Sequence, residues 1–484
     1  MSAGVQFDPA VLEPLGMRIA RLVIDSRKVR PGDTFVALPG ERTDGRRHIP
    51  QAIAQGAASV LWDPEGFSWD PGWKLPNLPL ADLRRRLGAI AAHVYGGPSG
   101  KMWVVGVTGT NGKTSCSHWI AQCLNRLRRP TAVLGTLGGG FPNALMPASH
   151  TTPDAVALQE QLADWLARGA RCVSMEVSSH GLDLGRVNGA VFAAALFTNL
   201  SRDHLDHHGS MEQYGAAKAR LFRWPGLRHA IVNLDDAFGA ALAASLDRTR
   251  MQVLGYGFGK GEIAGHRLDL SRRGLRLEIA TPWGAGLIES QLLGAYNASN
   301  LLGVLGVLLA AGVKLEEACD ALAQVEPPAG RLQMIRLPGR PLVVVDYAHT
   351  PDALEKVLET LRAILPAGAR LWCVFGCGGN RDPGKRPLMG EVATRLADRA
   401  LVTSDNPRSE NPRAVIDAVI AGAHPNYHVE EDRAAAIHRA VREAGREDVV
   451  LIAGKGHETY QEIAGERLPF NDLQVARAAL QRSD

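Results

Sequence analysis

The sequence predicts an α/β protein of three domains: a small N-terminal α/β domain, a central P-loop-type domain with a mainly parallel sheet, and a C-terminal, Rossmann-like doubly wound domain. Three observations predict it. An apolar segment at residues 104–107 runs into a glycine turn that closes on Lys113-Thr114. Apolar runs then alternate with helical segments across residues 131–234, the pattern of parallel strands joined by crossover helices. The last third repeats that alternation, and each strand ends in a polar or glycine-rich motif. At 484 residues the chain exceeds one core, and about 150 residues per domain suggests three.

Composition fits a soluble globular protein, with 45% hydrophobic and 21% charged residues. No run of 18 apolar residues exists, and residues 1–14 carry acidic groups without an apolar core, so neither membrane insertion nor export is expected. The six cysteines lack paired CxxC spacing, which suits buried thiols in a reducing cytoplasm. A net charge of +4 is small for this length, and Arg84-Arg85-Arg86 reads as a solvated helix face. No nucleic acid and no membrane partner is expected, and the chain is expected to be a monomer in the cytoplasm.

In the first domain, residues 1–97, Arg21-Leu22-Val23-Ile24 leads into Asp25-Ser26-Arg27, and residues 34–38 end at Pro39-Gly40. An amphipathic stretch at 48–55 precedes a strand at 58–62. The cluster Gly96-Gly97-Pro98-Ser99-Gly100 marks the break.

The second domain, residues 98–331, opens with Val104-Val105-Gly106-Val107-Thr108-Gly109-Thr110-Asn111-Gly112-Lys113-Thr114. Strand, glycine turn and helix in that order build a cradle for phosphates. Backbone N–H groups point inward, the lysine supplies a mobile charge and the threonine hydroxyl can hold Mg²⁺. The strict pattern wants glycine where Val107 stands, so the loop is a shortened variant. A helix at 115–127 adds its dipole, and the chain is expected to handle ATP. Strands are expected at 132–135, 172–177, 193–200 and 231–234, with an antiparallel hairpin around Arg272-Arg273-Gly274 at the edge. Helices at 298–311 and 315–324 follow, and Pro327-Pro328-Ala329-Gly330-Arg331 closes the domain.

The third domain, residues 332–484, starts with Leu342-Val343-Val344-Val345-Asp346. The helix at 351–364 carries Leu354, Val357, Leu358, Leu361 and Ile364 at helical spacing, with proline at its start. Strands at 371–375, 400–403 and 449–453 complete the pattern.

Several residues in this frame carry chemistry. Glu176 ends a strand and can complete a Mg²⁺ shell begun by Thr114; an N-cap or surface ion pair is the plain alternative. The stretch 199–209 is rich in ligands, though it can equally be a polar loop; one histidine on a second metal fits it better than three. Lys218 shares a helix face with Tyr214, Leu221 and Phe222. It either snorkels or, partly buried, is a neutral amine able to add CO₂ and become an anionic metal ligand. Asn297 stands at a helix start, as N-cap, ligand or both. Arg331 and Asp346, with His349 nearby, suit the phosphates and ribose of a nucleotide. Gly376-Cys377-Gly378-Gly379-Asn380-Arg381-Asp382, Ser404-Asp405-Asn406-Pro407-Arg408 and Ala453-Gly454-Lys455-Gly456-His457-Glu458 each follow a strand. Two arginines and a glutamate there suit a zwitterion, or else form a salt-bridge network.

Thr108-Gly109-Thr110-Asn111-Gly112-Lys113-Thr114, Leu293-Gly294-Ala295-Tyr296-Asn297-Ala298-Ser299-Asn300, Pro328-Ala329-Gly330-Arg331 and Asp346-Tyr347-Ala348-His349-Thr350-Pro351-Asp352 together resemble the Mur ligases of peptidoglycan synthesis, over essentially the whole chain. Asp405-Asn406-Pro407-Arg408 is similar to the motif by which some members recognise meso-diaminopimelate. The resemblance implies an ATP- and Mg²⁺-dependent ligase that extends UDP-N-acetylmuramoyl-L-alanyl-D-glutamate with that amino acid. It implies an ATP loop of Gly109, Thr110, Asn111, Gly112, Lys113, Thr114 and Ser115, with Asn297 and Arg331 also serving ATP. Thr114, Glu176 and His204 become Mg²⁺ ligands and Lys218 a carboxylated lysine. Ile24, Ser26, Thr151, Thr152, Ser178 and Arg186 fall to the UDP-sugar peptide, and Arg381, Asp405, Asn406, Pro407, Arg408, Gly454 and Glu458 to diaminopimelate. The chain departs from relatives in carrying Glu41-Arg42-Thr43 where His-Gln-Ala can stand, and Leu184 where glutamine can. A lysine-adding member, a folylpolyglutamate synthase, a nucleotide-dependent switch and a P-loop kinase are the rival expectations.

Overall fold

A computed structural model describes residues 8–40, 43–148 and 150–481. Of the Glu41-Arg42-Thr43 departure, Glu41 and Arg42 lie outside the described residues. The chain divides into two compact units. The first holds the described residues up to Gly265 with Ala280–Gly284 and Asn300–Ala321; the second holds His266–Ile279, Ala285–Ser299 and the described residues from Leu322 onward.

Two sheets occupy the first unit. A parallel sheet of four short strands runs Leu22–Val23, Thr34–Ala37, Ser59–Trp62 and Asn77–Pro79 in spatial as in chain order. One face of it buries Leu22, Val36 and Leu61 against Leu83, Leu87 and Ile90 of the helix Leu83–Val94, and Ala155 and Val156 join that core. The helix Ala155–Ala167, capped by the Asp154 carboxylate, thus ties the small sheet to the large one. Arg21 Nε adds an ion pair to Glu160 Oε1 at 3.0 Å.

The large sheet is parallel at its centre. Its spatial order is Gln252–Phe258, His229–Asn233, Ala194–Phe197, Trp103–Thr108, Cys172–Glu176, Thr131–Gly135. Gly138–Phe141 and Ala144–Met146 extend one edge antiparallel. The sequence predicts no strand here, since glycine weakens a strand's signal. Here glycine is required. Gly138 and Gly140 have φ of 120° and 140°, and a Cβ on Gly139 would sit 3.0 Å from the Trp165 ring. At the other edge the expected hairpin is three strands, Ile263–Ser271, Gly274–Thr281 and Gly284–Ser290; the second turn, at Pro282-Trp283, lacks the usual turn signature.

In the second unit a six-stranded sheet runs Gln333–Ile335, Leu342–Asp346, Val449–Ala453, Leu371–Phe375, Arg399–Val402, Tyr427–Val429. All its neighbours are parallel except the first pair. The last long strand inserts beside the first, so the order reverses there, and apolar cores cover both faces. Helix Pro351–Arg362 buries Leu354, Val357, Leu358 and Leu361, with the Thr350 side chain capping it and proline in its first turn. Helix Ala295–Ala310 begins earlier than expected, which places Asn297 inside the first turn rather than at the cap.

Candidate active site

In the first unit the chemistry gathers at the carboxyl ends of four neighbouring strands. Gly109 and Gly112 turn the chain from Trp103–Thr108 into the helix Lys113–Arg126, with φ of 150° and 86°. A Cβ on Gly112 would approach Asn300 Oδ1 to 2.6 Å, so only glycine allows this turn beside that amide. The segment after Ala194–Phe197 braces the loop. Thr198 Oγ1 donates to the Asn111 carbonyl at 2.6 Å, the Thr110 N–H donates to the Asn199 carbonyl, and the Asn111 N–H to Asn199 Oδ1. Lys113 Nζ lies over the loop, donating to the Gly109 and Thr110 carbonyls at 2.8 Å. Thr114 and Ser115 are buried in the first helical turn.

Lys218 does not snorkel. It is 1% exposed on the helix Met211–Ala219, and its Nζ donates to the Gly109 carbonyl at 2.8 Å. The same nitrogen stands 4.4 Å from the centre of the Tyr214 ring. Burial, reinforced by the charge of Lys113, holds its pKa well below the ordinary lysine value. The amine so shifted is hydrogen-bonded to the phosphate loop itself.

Glu176 ends Cys172–Glu176, next in the sheet to the phosphate-loop strand, and is fully buried. Its Oε1 accepts from the Thr136 N–H at 2.8 Å and its Oε2 from Thr136 Oγ1 at 3.2 Å. It is neither an N-cap nor a surface ion pair. The Glu176 carboxylate and the Thr114 hydroxyl, both buried, are oxygen donors of the kind Mg²⁺ takes with phosphate oxygens and water, and Lys218 would add oxygens only as its carbamate. Around the Glu176 backbone the structure brings together four residues expected to meet the peptide. Thr152 Oγ1 donates to the Glu176 carbonyl and accepts from the Ser178 N–H at 3.0 Å, Arg186 Nη1 donates to the Thr152 carbonyl, and Thr151 Oγ1 is 3.1 Å from Thr136 Oγ1. Ile24 and Ser26 lie in the small sheet's region, where Ser26 Oγ donates to Gln51 Oε1 at 2.8 Å. Leu184 is the C-cap of the helix Ser179–Asp183.

His204 has φ of 52° and precedes the one-turn helix Leu205–His208. Burial and the charge of Lys113 lower its pKa, against Asp203, whose Oδ2 lies 3.4 Å from its Nε2. Its ring is 4.8 Å from His180, a residue the sequence reading passed over. Burial and three surrounding histidines push His180 down to about 4, so it is neutral at physiological pH.

The second unit has its own cluster, again where strands end. Asp346 is buried, and both its oxygens accept backbone N–H groups, Oδ2 from Leu332 and Oδ1 from Ala348, each at 2.8 Å. Burial raises its pKa while Arg331 and those amides oppose the rise. Arg331 stacks over Tyr347 at 5.5 Å, and His349 Nδ1 donates to the Tyr347 carbonyl. Asn297 Nδ2 donates back to the Leu293 carbonyl at 2.8 Å.

The segment 405–408 is held between two glycine-rich loops. Arg408, at φ 55°, donates from Nη1 to the Gly379 carbonyl at 2.6 Å and from its backbone N–H to Glu462. A Cβ built on Gly378 would lie 3.0 Å from Arg408 Nη1 and 3.9 Å from Arg381 Cγ, so the two arginines flank one point. Gly454, at φ 115°, lets Asp405 Oδ2 approach where a Cβ would stand. Glu458 Oε2 accepts from Asn406 Nδ2 at 2.8 Å and from Lys455 Nζ at 3.1 Å. Lys455 is fully buried, also donates to Asn406 Oδ1, and had no role in the sequence reading. Its position inside a glycine-rich motif was the only signal.

Family models match the chain in order: "Mur ligase family, catalytic domain" over residues 18–95, "Mur ligase middle domain" over 107–308, and "Mur ligase, glutamate ligase domain" over 330–456. A ligase of Chromobacterium violaceum is 54% identical over 482 residues, covering 99% of this chain and 98% of its own. The chain belongs to the Mur ligase family. That Chromobacterium Mur ligase is named UDP-N-acetylmuramoyl-L-alanyl-D-glutamate–2,6-diaminopimelate ligase, as is one of Neisseria meningitidis serogroup A, 52% identical over 94% of each chain. A solved Mur ligase structure of the same name is 38% identical, with a TM-score of 0.73 over 96% of this chain and 94% of that one.

Proposed function

We propose that this Mur ligase joins meso-2,6-diaminopimelate to UDP-N-acetylmuramoyl-L-alanyl-D-glutamate at the expense of ATP. The observation that carries the reading is near-full-length identity of 54% to a relative of that name, with Asp405-Asn406-Pro407-Arg408 held as a fixed turn. The three regions divide the work: residues 1–97 take the UDP-sugar, 98–331 take ATP and 332–484 take the incoming amino acid. The enzyme acts as a cytoplasmic monomer; among the described residues no helix is long and apolar enough to cross a membrane.

The phosphate-loop amides and Lys113 bind the ATP phosphates and oppose charge developing on the transferred phosphoryl group. The D-glutamyl side-chain carboxylate attacks the γ-phosphorus; a new O–P bond forms as the bond to ADP breaks. Thr151, Thr152, Ser178 and Arg186, grouped around the end of the Glu176 strand, orient the peptide that bears this carboxylate. Thr114, Glu176, His204 and Lys218 as its carbamate would hold Mg²⁺, which supplies Lewis-acid stabilisation of phosphoryl oxygens. The free amine of diaminopimelate then attacks the acyl phosphate carbonyl. The C–N bond forms, phosphate leaves with the C–O electron pair, and the amine nitrogen loses a proton. Arg408 and Arg381 grip the amino acid's carboxylates in fork geometry, and Glu458 accepts from its ammonium.

The test is ADP release by the purified chain with the UDP-sugar dipeptide and a panel of amines. ADP is expected with meso-diaminopimelate and not with lysine. Release with lysine instead, or only with glutamate and a folate, would replace this reading by one of its rivals.

A further inference from the structure

Two short helices beside the phosphate loop carry a donor cluster that the ligase chemistry leaves unused. Asp183 ends Ser179–Asp183, while His207 and His208 lie on Leu205–His208. One donor atom from each of the three lies within 4.8 Å of the other two. His207 Nε2 and Asp183 Oδ2 are already 3.2 Å apart. Bonds of about 2.0–2.2 Å in a tetrahedral shell place neighbouring donors about 3.3–3.6 Å apart, so this pair needs almost no movement. His208 is 5% exposed, and its Nε2 has no hydrogen-bond partner among the described residues. Arg220 Nη1 holds Asp183 Oδ1 at 3.0 Å, which leaves Oδ2 with the imidazole. The His180 ring closes the group, 4.1 Å from His207 and 5.4 Å from His208.

We propose that Asp183, His207 and His208 bind a divalent transition-metal ion of the zinc class, at a site separate from the Mg²⁺ set. Two imidazoles with one carboxylate select such an ion, whereas Mg²⁺ prefers oxygen donors. Asp183 is exposed and the His207 side chain keeps partial exposure, so the ion has a path from solvent. Because His204 precedes the same one-turn helix, the ion clamps the segment that presents His204. The site does not depend on which amino acid the ligase adds.

The experiment is equilibrium dialysis of tag-free, full-length protein against zinc with Mg²⁺ in large excess, the metal being counted by mass spectrometry. One zinc per chain is expected. Asp183→Asn and His207→Gln should each weaken uptake at least about tenfold while His204→Gln retains it. No uptake by the wild type, equal uptake by His207→Gln, or loss on His204→Gln alone would overturn the proposal. Should the variants fail to fold, X-ray absorption on the zinc-loaded wild type decides: two imidazole donors support the site, and an all-oxygen shell refutes it.

Discussion

Each unit buries one lysine at its cluster, and the two are treated oppositely. Lys218 is 1% exposed and meets a carbonyl and an aromatic face, with no ion-pair partner among the described residues. Lys455 is 0% exposed and sits against the Glu458 carboxylate and the Asn406 amide. Burial without a counter-charge makes the neutral amine the cheaper state and leaves a nucleophile. Burial with a carboxylate makes a fixed ion pair whose role is to hold its neighbours, here the turn that carries Arg408. The surroundings therefore separate a reagent from a scaffold, though both residues are equally hidden.

The comparison can be broken at either end. Lys218→Met should cost the largest factor, about 10²–10³ in kcat, with ATP affinity little changed, because it removes an anionic group that would hold the Mg²⁺ stabilising the phosphoryl group in the transition state. Lys218→Arg should not restore the rate, since a guanidinium stays charged. Lys455→Met should instead read out in stability. It strands Glu458 and Asn406, and denaturant unfolding should show a loss near the lower end of about 3–5 kcal/mol, because Glu458 keeps some contact with water. Smaller still is Arg408→Ala. Losing one charge-assisted contact of about 1.5–3 kcal/mol should raise the KM for diaminopimelate roughly 10- to 100-fold, while the KM for ATP stays near wild type. An unchanged diaminopimelate KM would remove Arg408 from the clamp. Depleting CO₂ and bicarbonate should lower wild-type activity reversibly and leave Lys455→Met, measured under folding conditions, with the same bicarbonate response as wild type.

The difference between the lysines also marks what a sequence can reveal. Lys218 was legible because Tyr214, Leu221 and Phe222 recur around it at helical spacing, so its face could be known to be apolar. The snorkelling alternative fell only when depth was known. Lys455 was invisible, because Asn406 comes from a strand end 49 residues away and glycines on either side give no periodicity. The parallel sheets and the phosphate loop were readable from strand–helix alternation. The Gly138–Phe141 strand and the third strand of the edge meander were not, since both rest on tertiary packing rather than local preference. Asn297 looked like a cap because its amide stands just before the apolar run, whereas the helix already starts at Ala295.

The most direct measurement is carbon-13 NMR of the wild type in labelled bicarbonate, set beside Lys218→Met and Lys455→Met. The account predicts one carbamate resonance in the wild type, its loss in Lys218→Met and its survival in Lys455→Met. No carbamate in the wild type, or one that persists without Lys218, would contradict it.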